Sequence, residues 1–82
     1  MRFTYFSKLI RSKREKAGLS QIELAKALGY ETAQLISNVE RGICAFPLMK
    51  WKRVSKTLDL SLTAMKRLYL KDVAIQIDQK VR

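Results

Sequence analysis

Apolar residues return every three or four positions along the chain, which is the spacing of one face of an α-helix. The first such stretch predicts a helix from Phe6 to Ala17. Leu9 and Ile10 share its apolar face, and Gly18 ends it, because glycine readily takes the left-handed conformation that follows a helix. No run of β-branched residues alternates with polar ones, so the pattern predicts an all-α fold.

Two short helices follow in close succession. The second helix is predicted from Gln21 to Leu28, and Gly29 closes it. Ser20 is the expected N-cap, and Glu23 stands three residues later, which together form a capping box. Because a capping box satisfies backbone donors that a helix leaves unpaired, it predicts the start of this helix firmly.

The third helix is predicted from Ala33 to Arg41, with Thr32 as its N-cap and Gly42 after its last residue. Its apolar stripe is formed by Leu35, Ile36 and Val39. The outward face of this helix is polar without being acidic. That composition favours contact with a polar or negatively charged partner.

Two further helices complete the predicted fold. Pro47 fits the first turn of a fourth helix, where no backbone N–H is needed. The buried face of that helix is predicted to hold Trp51, Val54, Ser55 and Leu58. Ser61 can cap a fifth helix from Leu62 to about Lys80, which is longer than a small bundle requires. The pattern therefore predicts one five-helix domain over residues 1–82.

The charge of the chain narrows the class of partner. Seventeen Lys and Arg residues against seven Asp and Glu residues give a net charge of +10. A field of that sign suits a polyanion such as DNA, RNA or an anionic membrane surface. The alternative is a solvated basic surface without a partner. Hydrophobic residues make up 48% of the chain, too many for a disordered segment.

The residue types that are missing exclude several functions. Cys44 is the only cysteine, so no internal disulfide can form, and we expect an inert loop thiol in a cytoplasmic protein. Without histidine, a zinc site or a histidine-based catalytic triad lacks its ligands or its base. No nucleophile has a matching base, and no apolar run approaches a membrane span. We therefore expect no enzyme activity, metal, cofactor, small-molecule ligand or membrane partner.

The two short helices carry the functional signal. Helices joined by such a tight turn cross steeply, which lets the second one reach into the major groove of DNA. Gly18–Gly29, with the sequence GLSQIELAKALG, resembles the first half of the Cro/repressor-type (Xre-like) helix-turn-helix. Ile36–Gly42, with the sequence ISNVERG, resembles the second half. The resemblance runs from Arg14 to about Ser61 and implies a lambda-repressor-like domain that binds double-stranded DNA.

The resemblance also implies roles for individual residues. It implies that Gln21 binds a phosphate and steadies the recognition helix, and that Arg14 pairs with Glu40 while lying close to the DNA backbone. The alternative for this pair is a purely architectural role. Arg41 and the loop at residues 42–46 are expected to hold phosphates, which set register rather than sequence.

The outer face of the third helix is where the resemblance places base recognition. Glutamine and asparagine amides can bond adenine in a bidentate way, and a small methyl group can contact thymine. The alternative is a set of ordinary solvated side chains. The expected base-contacting residues are Thr32, Ala33, Gln34, Ser37 and Asn38.

Two departures from the family pattern affect these assignments. The turn between Gly29 and Ile36 is one residue longer than usual, which leaves two registers open for Thr32–Gln34. Residues 43–46 are largely apolar where relatives often carry basic side chains. Phosphate contacts are therefore expected to shift to Lys50 or to other nearby cations.

The fifth helix offers a surface for dimerisation at about residues 62–82. Its apolar stripe consists of Leu70, Ala74, Ile77 and Val81, which follow one another at heptad-like spacings of 4, 3 and 4 residues. Val73 lies beside this stripe. The alternative is a helix packed back on its own core. The family usually dimerises, so the resemblance implies a homodimer on an inverted-repeat operator.

The sequence thus indicates a sequence-specific transcriptional regulator that acts by occupying an operator. Within this class, three kinds of regulator fit the sequence equally well: a phage-type repressor, a restriction-modification controller and the DNA-binding antitoxin of a toxin pair. A protein-interaction module that uses the same fold without reading DNA is a further alternative. An acidic or apolar outer face on the third helix would have favoured that module.

Overall fold

The computed structural model describes residues 2–81, and no strand occurs among them. A 3-10 turn at Leu48–Lys50 precedes the fourth of five α-helices. The helices are α1 (Thr4–Lys16), α2 (Gln21–Ala27), α3 (Gln34–Glu40), α4 (Trp51–Leu58) and α5 (Leu62–Lys80). The predicted all-α, five-helix fold is confirmed. The predicted single domain also includes Met1 and Arg82, which lie outside the described residues.

A single apolar core joins the five helices. Its fully buried members come from every helix and include Phe6, Ile10, Leu24, Leu28, Ile36, Val39, Val54 and Met65. Because α2 and α3 are each only seven residues long, they depend on this packing rather than on intrinsic helix stability. The core therefore holds the helix-turn-helix unit in place.

An aromatic cluster links α1, α4 and α5. Tyr69 on α5 stacks on Phe3 with 5.5 Å between ring centroids and meets the ring of Trp51 edge-on at 5.4 Å. Phe6 stacks on Trp51 at 5.4 Å, and the indole N–H of Trp51 donates to the carbonyl oxygen of Phe46 at 2.9 Å. Aromatic pairs in such geometries stabilise a core beyond the area they bury.

The beginning of α1 is held by a residue from the other end of the chain. The buried carboxylate of Asp72 on α5 accepts hydrogen bonds from the backbone N–H of Tyr5 at 3.0 Å and of Phe6 at 2.9 Å. A carboxylate in this position satisfies unpaired donors and complements the helix dipole. With this support, α1 begins at Thr4, two residues before the predicted start at Phe6.

The end of α3 is tied to the start of α1. Gly42 adopts a φ of +78°, which L side chains rarely adopt, and its carbonyl oxygen accepts from the N–H of Phe3 at 2.9 Å. A Cβ atom at this glycine would lie 3.6 Å from the Phe3 backbone. The contact fixes where the chain leaves α3.

Two predicted helix starts are wrong in detail. Ala33, not Thr32, is the N-cap of α3, and no side chain caps it; Thr32 Oγ1 makes only a 3.4 Å contact with the N–H of Gln34. Pro47 has an extended ψ of 140° and precedes a 3-10 turn instead of lying in the first turn of α4. Both predictions place the start of the helix one or more residues too early.

Candidate nucleic-acid interface

The helix-turn-helix begins at a complete capping box. Ser20 Oγ accepts from the N–H of Glu23 at 3.1 Å, and a Glu23 carboxylate oxygen accepts from the N–H of Ser20 at 2.8 Å. The backbone N–H of Ser20 lowers the pKa of the Glu23 carboxyl. This stabilisation is therefore present above the usual pKa of glutamate and is lost as the pH falls through the lowered value.

The turn between α2 and α3 is set by backbone geometry and by buried apolar residues. Gly29 has a φ of +89°, and the N–H of Tyr30 returns to the carbonyl oxygen of Ala25 at 2.9 Å. Ala25 is fully buried, as are Ile36 and Val39 on α3. The small side chain of Ala25 lets the two helices approach closely.

A buried ion pair fixes α3 against α1. Arg14 Nε and Nη2 donate to the two carboxylate oxygens of Glu40 at 2.6 and 3.0 Å, and Arg14 Nη1 donates to the carbonyl oxygen of Leu19 at 2.7 Å. The hydrogen bonds to Glu40 raise the pKa of the Arg14 guanidinium, although burial opposes them. Gln21 Nε2 adds a bond to Glu40 at 3.1 Å. Glu40 therefore connects α1, α2 and α3 at one point.

The outer face of α3 carries a chain of polar side chains. Asn38 Oδ1 accepts from Gln34 Nε2 at 3.0 Å and from Arg41 Nη2 at 2.7 Å. The Gln34 amide oxygen and the Asn38 amide N–H groups bond to no other described residue. Ser37 lies half-buried on the same helix. The Gln34 amide oxygen and the Asn38 amide nitrogen are thus left for an external ligand.

The residues before α3 occupy its N-terminal end. Thr32 is exposed in the bend that leads into the helix, and Ala33 is the half-buried N-cap. They adjoin Gln34, the first residue of α3, so the structure brings the five predicted base-contacting residues together at one end and one face of this helix.

The predicted phosphate-binding cations have different surroundings. Arg41 is exposed at the end of α3, and its carbonyl oxygen accepts from Arg2 Nη1 at 3.0 Å. Lys50 instead lies at the end of α2, where its ammonium donates to the carbonyl oxygen of Leu28 at 2.9 Å and lies 5.1 Å from the Tyr30 ring centroid. The side chain that was expected to contact DNA therefore also caps α2.

Sequence reasoning missed a second cation beside Lys50. A Cβ atom built at Gly29 would lie 3.5 Å from Lys50 Nζ and 3.7 Å from Arg53 Nη1, so both cations approach the turn between α2 and α3. Neither forms an ion pair with a residue in the described part of the chain. Arg53 follows Lys50 by three residues, a helical spacing that could have identified the pair.

The predicted dimer stripe on α5 is only partly exposed. Leu70 and Ile77 are each 53% exposed and Val81 is 76% exposed, and Ala74 is exposed as well. Val73 differs, because it packs partly against the core. The structure thus leaves four of the five stripe residues on the surface.

An apolar groove adjoins this stripe at Leu70. The groove has a volume of about 400 Å³ and is lined by Leu48, Trp51, Leu62, Lys66, Tyr69 and Leu70. Leu48 in its lining is 76% exposed, and the next residue, Met49, is 89% exposed. Large apolar side chains exposed together mark contact surfaces more often than scattered single residues do.

The described residues give little support for a reactive thiol, a metal site or a membrane-spanning helix. Burial raises the pKa of the Cys44 thiol, which opposes formation of a reactive thiolate. Residues 2–81 contain no group of three metal-ligating His, Cys, Asp or Glu side chains. Within that range, no helix combines the length and apolar character needed to cross a membrane.

Comparison with known proteins agrees with this geometry. Residues 10–65, more than half of the chain, match the family described as helix-turn-helix. Among solved structures, a similar chain is a mutant of the restriction-modification controller protein C.Esp1396I in a trigonal crystal form. The two share 21% sequence identity with a TM-score of 0.66, over 88% of this chain and 95% of that one, which shows a common fold. No curated protein matches.

Proposed function

The chain belongs to the Cro/repressor-type (Xre-like) family of helix-turn-helix DNA-binding proteins, and we propose that it represses or controls transcription by occupying a specific operator. The observation that carries this proposal is the polar chain on the outer face of α3. The core and the Arg14–Glu40 pair hold that face in one orientation. A preorganised polar face suits base recognition, since less side-chain entropy is lost on binding.

Base recognition is assigned to the N-terminal end and outer face of α3. Adenine presents an acceptor and a donor in the major groove, which match the amide N–H of Asn38 and the amide oxygen of Gln34. Ser37 and Thr32 supply hydroxyl groups, and the methyl group of Ala33 suits thymine. These assignments follow from position on the helix and from the groups left without a protein partner.

Phosphate contacts are assigned around this face. Arg41 and Lys50 carry the charge, and Gln21 retains its amide oxygen and one N–H beside the bond to Glu40. Arg14 is only 12% exposed and already makes three hydrogen bonds. We therefore assign it the architectural role, in which it orients α3 rather than binding DNA directly.

Operator recognition by one α3 would cover only a few base pairs, too few to select one site in a genome. We propose a homodimer that reads an inverted repeat, with half-sites one helical turn, about 10 base pairs, apart. The exposed α5 residues Leu70, Ala74, Ile77 and Val81 supply the interface, and the adjoining groove extends it. Val73 contributes by supporting this surface from the core side.

The controller class has one specific observation in its favour. The chain spans almost the whole length of the restriction-modification controller whose fold it shares. A phage repressor and the DNA-binding antitoxin of a toxin pair are the alternatives within this family. A protein-interaction role without DNA is disfavoured because the outer face of α3 is polar and carries no acidic residue pointing outward.

The DNA-binding proposal is tested by fluorescence anisotropy with duplex DNA at several salt concentrations. Each phosphate neutralised contributes about 0.9 to the log–log slope, so several contacts predict a slope of several units. A flat salt response would contradict electrostatic binding to DNA.

The dimer is tested by sedimentation of charge variants on α5. Ile77→Lys places a cation in the exposed stripe, and Gln79→Lys adds the same charge on the opposite side of the helix. We expect Ile77→Lys to dissociate the dimer and Gln79→Lys to leave it intact. Parent protein that sediments as a monomer at micromolar concentration would contradict the proposal.

A further inference from the structure

The N-terminus of α1 has no capping group of its own. Its N-cap residue, Phe3, offers no side-chain acceptor, and the first turn contains no acidic residue. The acceptors come from Asp72, a carboxylate that is only 2% exposed and that takes two N–H groups of α1, from Tyr5 and Phe6. The cap of α1 is therefore supplied across the interface with α5.

These two hydrogen bonds fix the register of α5 along α1. The neighbouring contacts of Tyr69 with Phe3 and Phe6 are aromatic, and aromatic pairs are stable over a range of offset-stacked and edge-on geometries with ring centroids about 4.5–7 Å apart. Hydrogen bonds to two consecutive N–H groups are directional, because each bond weakens steeply once its N–H···O angle falls below about 120°. A shift by one helical turn, about 5.4 Å, would break both bonds and leave a carboxylate buried without a partner.

The same end of α1 is attached to the recognition helix. The N–H of Phe3 donates to the carbonyl oxygen of Gly42, directly after α3, and Arg2 donates to the carbonyl oxygen of Arg41. At the other end of α1, Arg14 holds Glu40. Both ends of α1 are thus bonded to residues of α3 or directly after it, and the N-terminal end of α1 is also bonded to α5. A movement of α5 along α1 therefore changes the position of α5 relative to α3.

We propose that Asp72 is a positioning residue for operator recognition: by fixing α5 on α1, it sets the separation of the two recognition helices in the dimer. The proposal rests on the homodimer through α5 that is proposed above. In a two-fold dimer held by α5, any change in the angle between α5 and α3 is applied to both protomers. This angle therefore determines the distance between the two α3 helices, and that distance determines the preferred spacing of the half-sites.

The test compares operators that differ only in spacing. The affinity of the full chain is measured for an inverted repeat of the preferred spacing and for versions with one or two base pairs added or removed. Asp72→Asn keeps the size of the side chain but replaces one acceptor with a donor facing an N–H group. Asp72→Glu keeps the charge and adds one methylene, so it displaces α5 while retaining a cap. Val54→Ala, a core change on α4, is the control for lost stability.

We expect Asp72→Asn to lower the ratio of affinities between preferred and altered spacing by about fivefold or more, the lower end of typical coupling between sites. Asp72→Glu should alter the preferred spacing, and Val54→Ala should keep the parent ratio. Parent-like ratios in both Asp72 variants would overturn the inference. A parent protein that binds DNA but has no spacing preference would instead overturn the dimer on which it rests.

Discussion

Glu40→Gln tests how the recognition helix is held in place. The substitution keeps the shape of the side chain and one acceptor oxygen but removes the negative charge that receives two hydrogen bonds from Arg14. It also changes the partner of Gln21. Since the side chains of Arg14 and Glu40 are only 12% and 4% exposed, water has little access to replace what is lost.

The cost can be estimated from this burial. Breaking one side of a buried ion pair costs about 3–5 kcal/mol, because the remaining charge stays buried without compensation. Arg14 keeps its bond to the carbonyl oxygen of Leu19 and one acceptor from the new amide, so we expect about 2–3 kcal/mol. In a domain of this size, each kcal/mol lowers the Tm by roughly 4–8 °C, which gives a decrease of about 8–24 °C.

Thermal unfolding followed by circular dichroism measures the effect. The matched control is Glu15→Gln, which removes the same charge from an exposed pair whose Arg11 Nε to Glu15 oxygen distance is 3.7 Å. Solvent screens that pair, so its loss should cost no more than about 0.5 kcal/mol. If Glu40→Gln and Glu15→Gln lowered the Tm equally, the claim that Glu40 anchors the recognition helix would be refuted.

Further predictions concern the interface and the helix ends. Gln34→Ala and Asn38→Ala should each cost about 1–3 kcal/mol on the preferred operator and little on random DNA; equal losses on both would remove these residues from base recognition. Lys50→Ala should weaken binding to all sequences and reduce the salt slope by about one, as anisotropy would show. Ser20→Ala should destabilise the fold by about 1 kcal/mol through loss of the N-cap. Asp59, with a φ of 50°, should be replaceable by glycine with a gain of up to about 1 kcal/mol, and a lower Tm would contradict this.

Sequence patterns predicted the elements whose signals are local. α2 begins at Gln21 after Ser20, and α5 spans Leu62–Lys80 after Ser61, as predicted. In both cases, a serine hydroxyl accepts an N–H three residues later, so a few adjacent residues determine the boundary. The family was also predictable, because its motif combines such local signals in a fixed order.

Contacts between distant residues were not predictable from these patterns. Asp72 supports α1 from 66 residues away, and periodicity along the chain carries no information about such a pair. Lys50 was assigned to phosphate from its charge, but its contact with the carbonyl oxygen of Leu28 depends on how the 3-10 turn at Leu48–Lys50 lies against the end of α2. The start of α3 was misplaced because Thr32 has a good N-cap side chain but lies in the bend one residue before the actual N-cap, Ala33.

Selection of bound fragments from random duplex DNA tests the central claim most directly. The full chain is incubated with the random pool, and the bound duplexes are sequenced after several rounds. The account predicts enrichment of an inverted repeat with half-sites about 10 base pairs apart and with adenine among the bases that α3 reads. A folded protein that retains the pool without enriching any sequence would contradict a sequence-specific regulator.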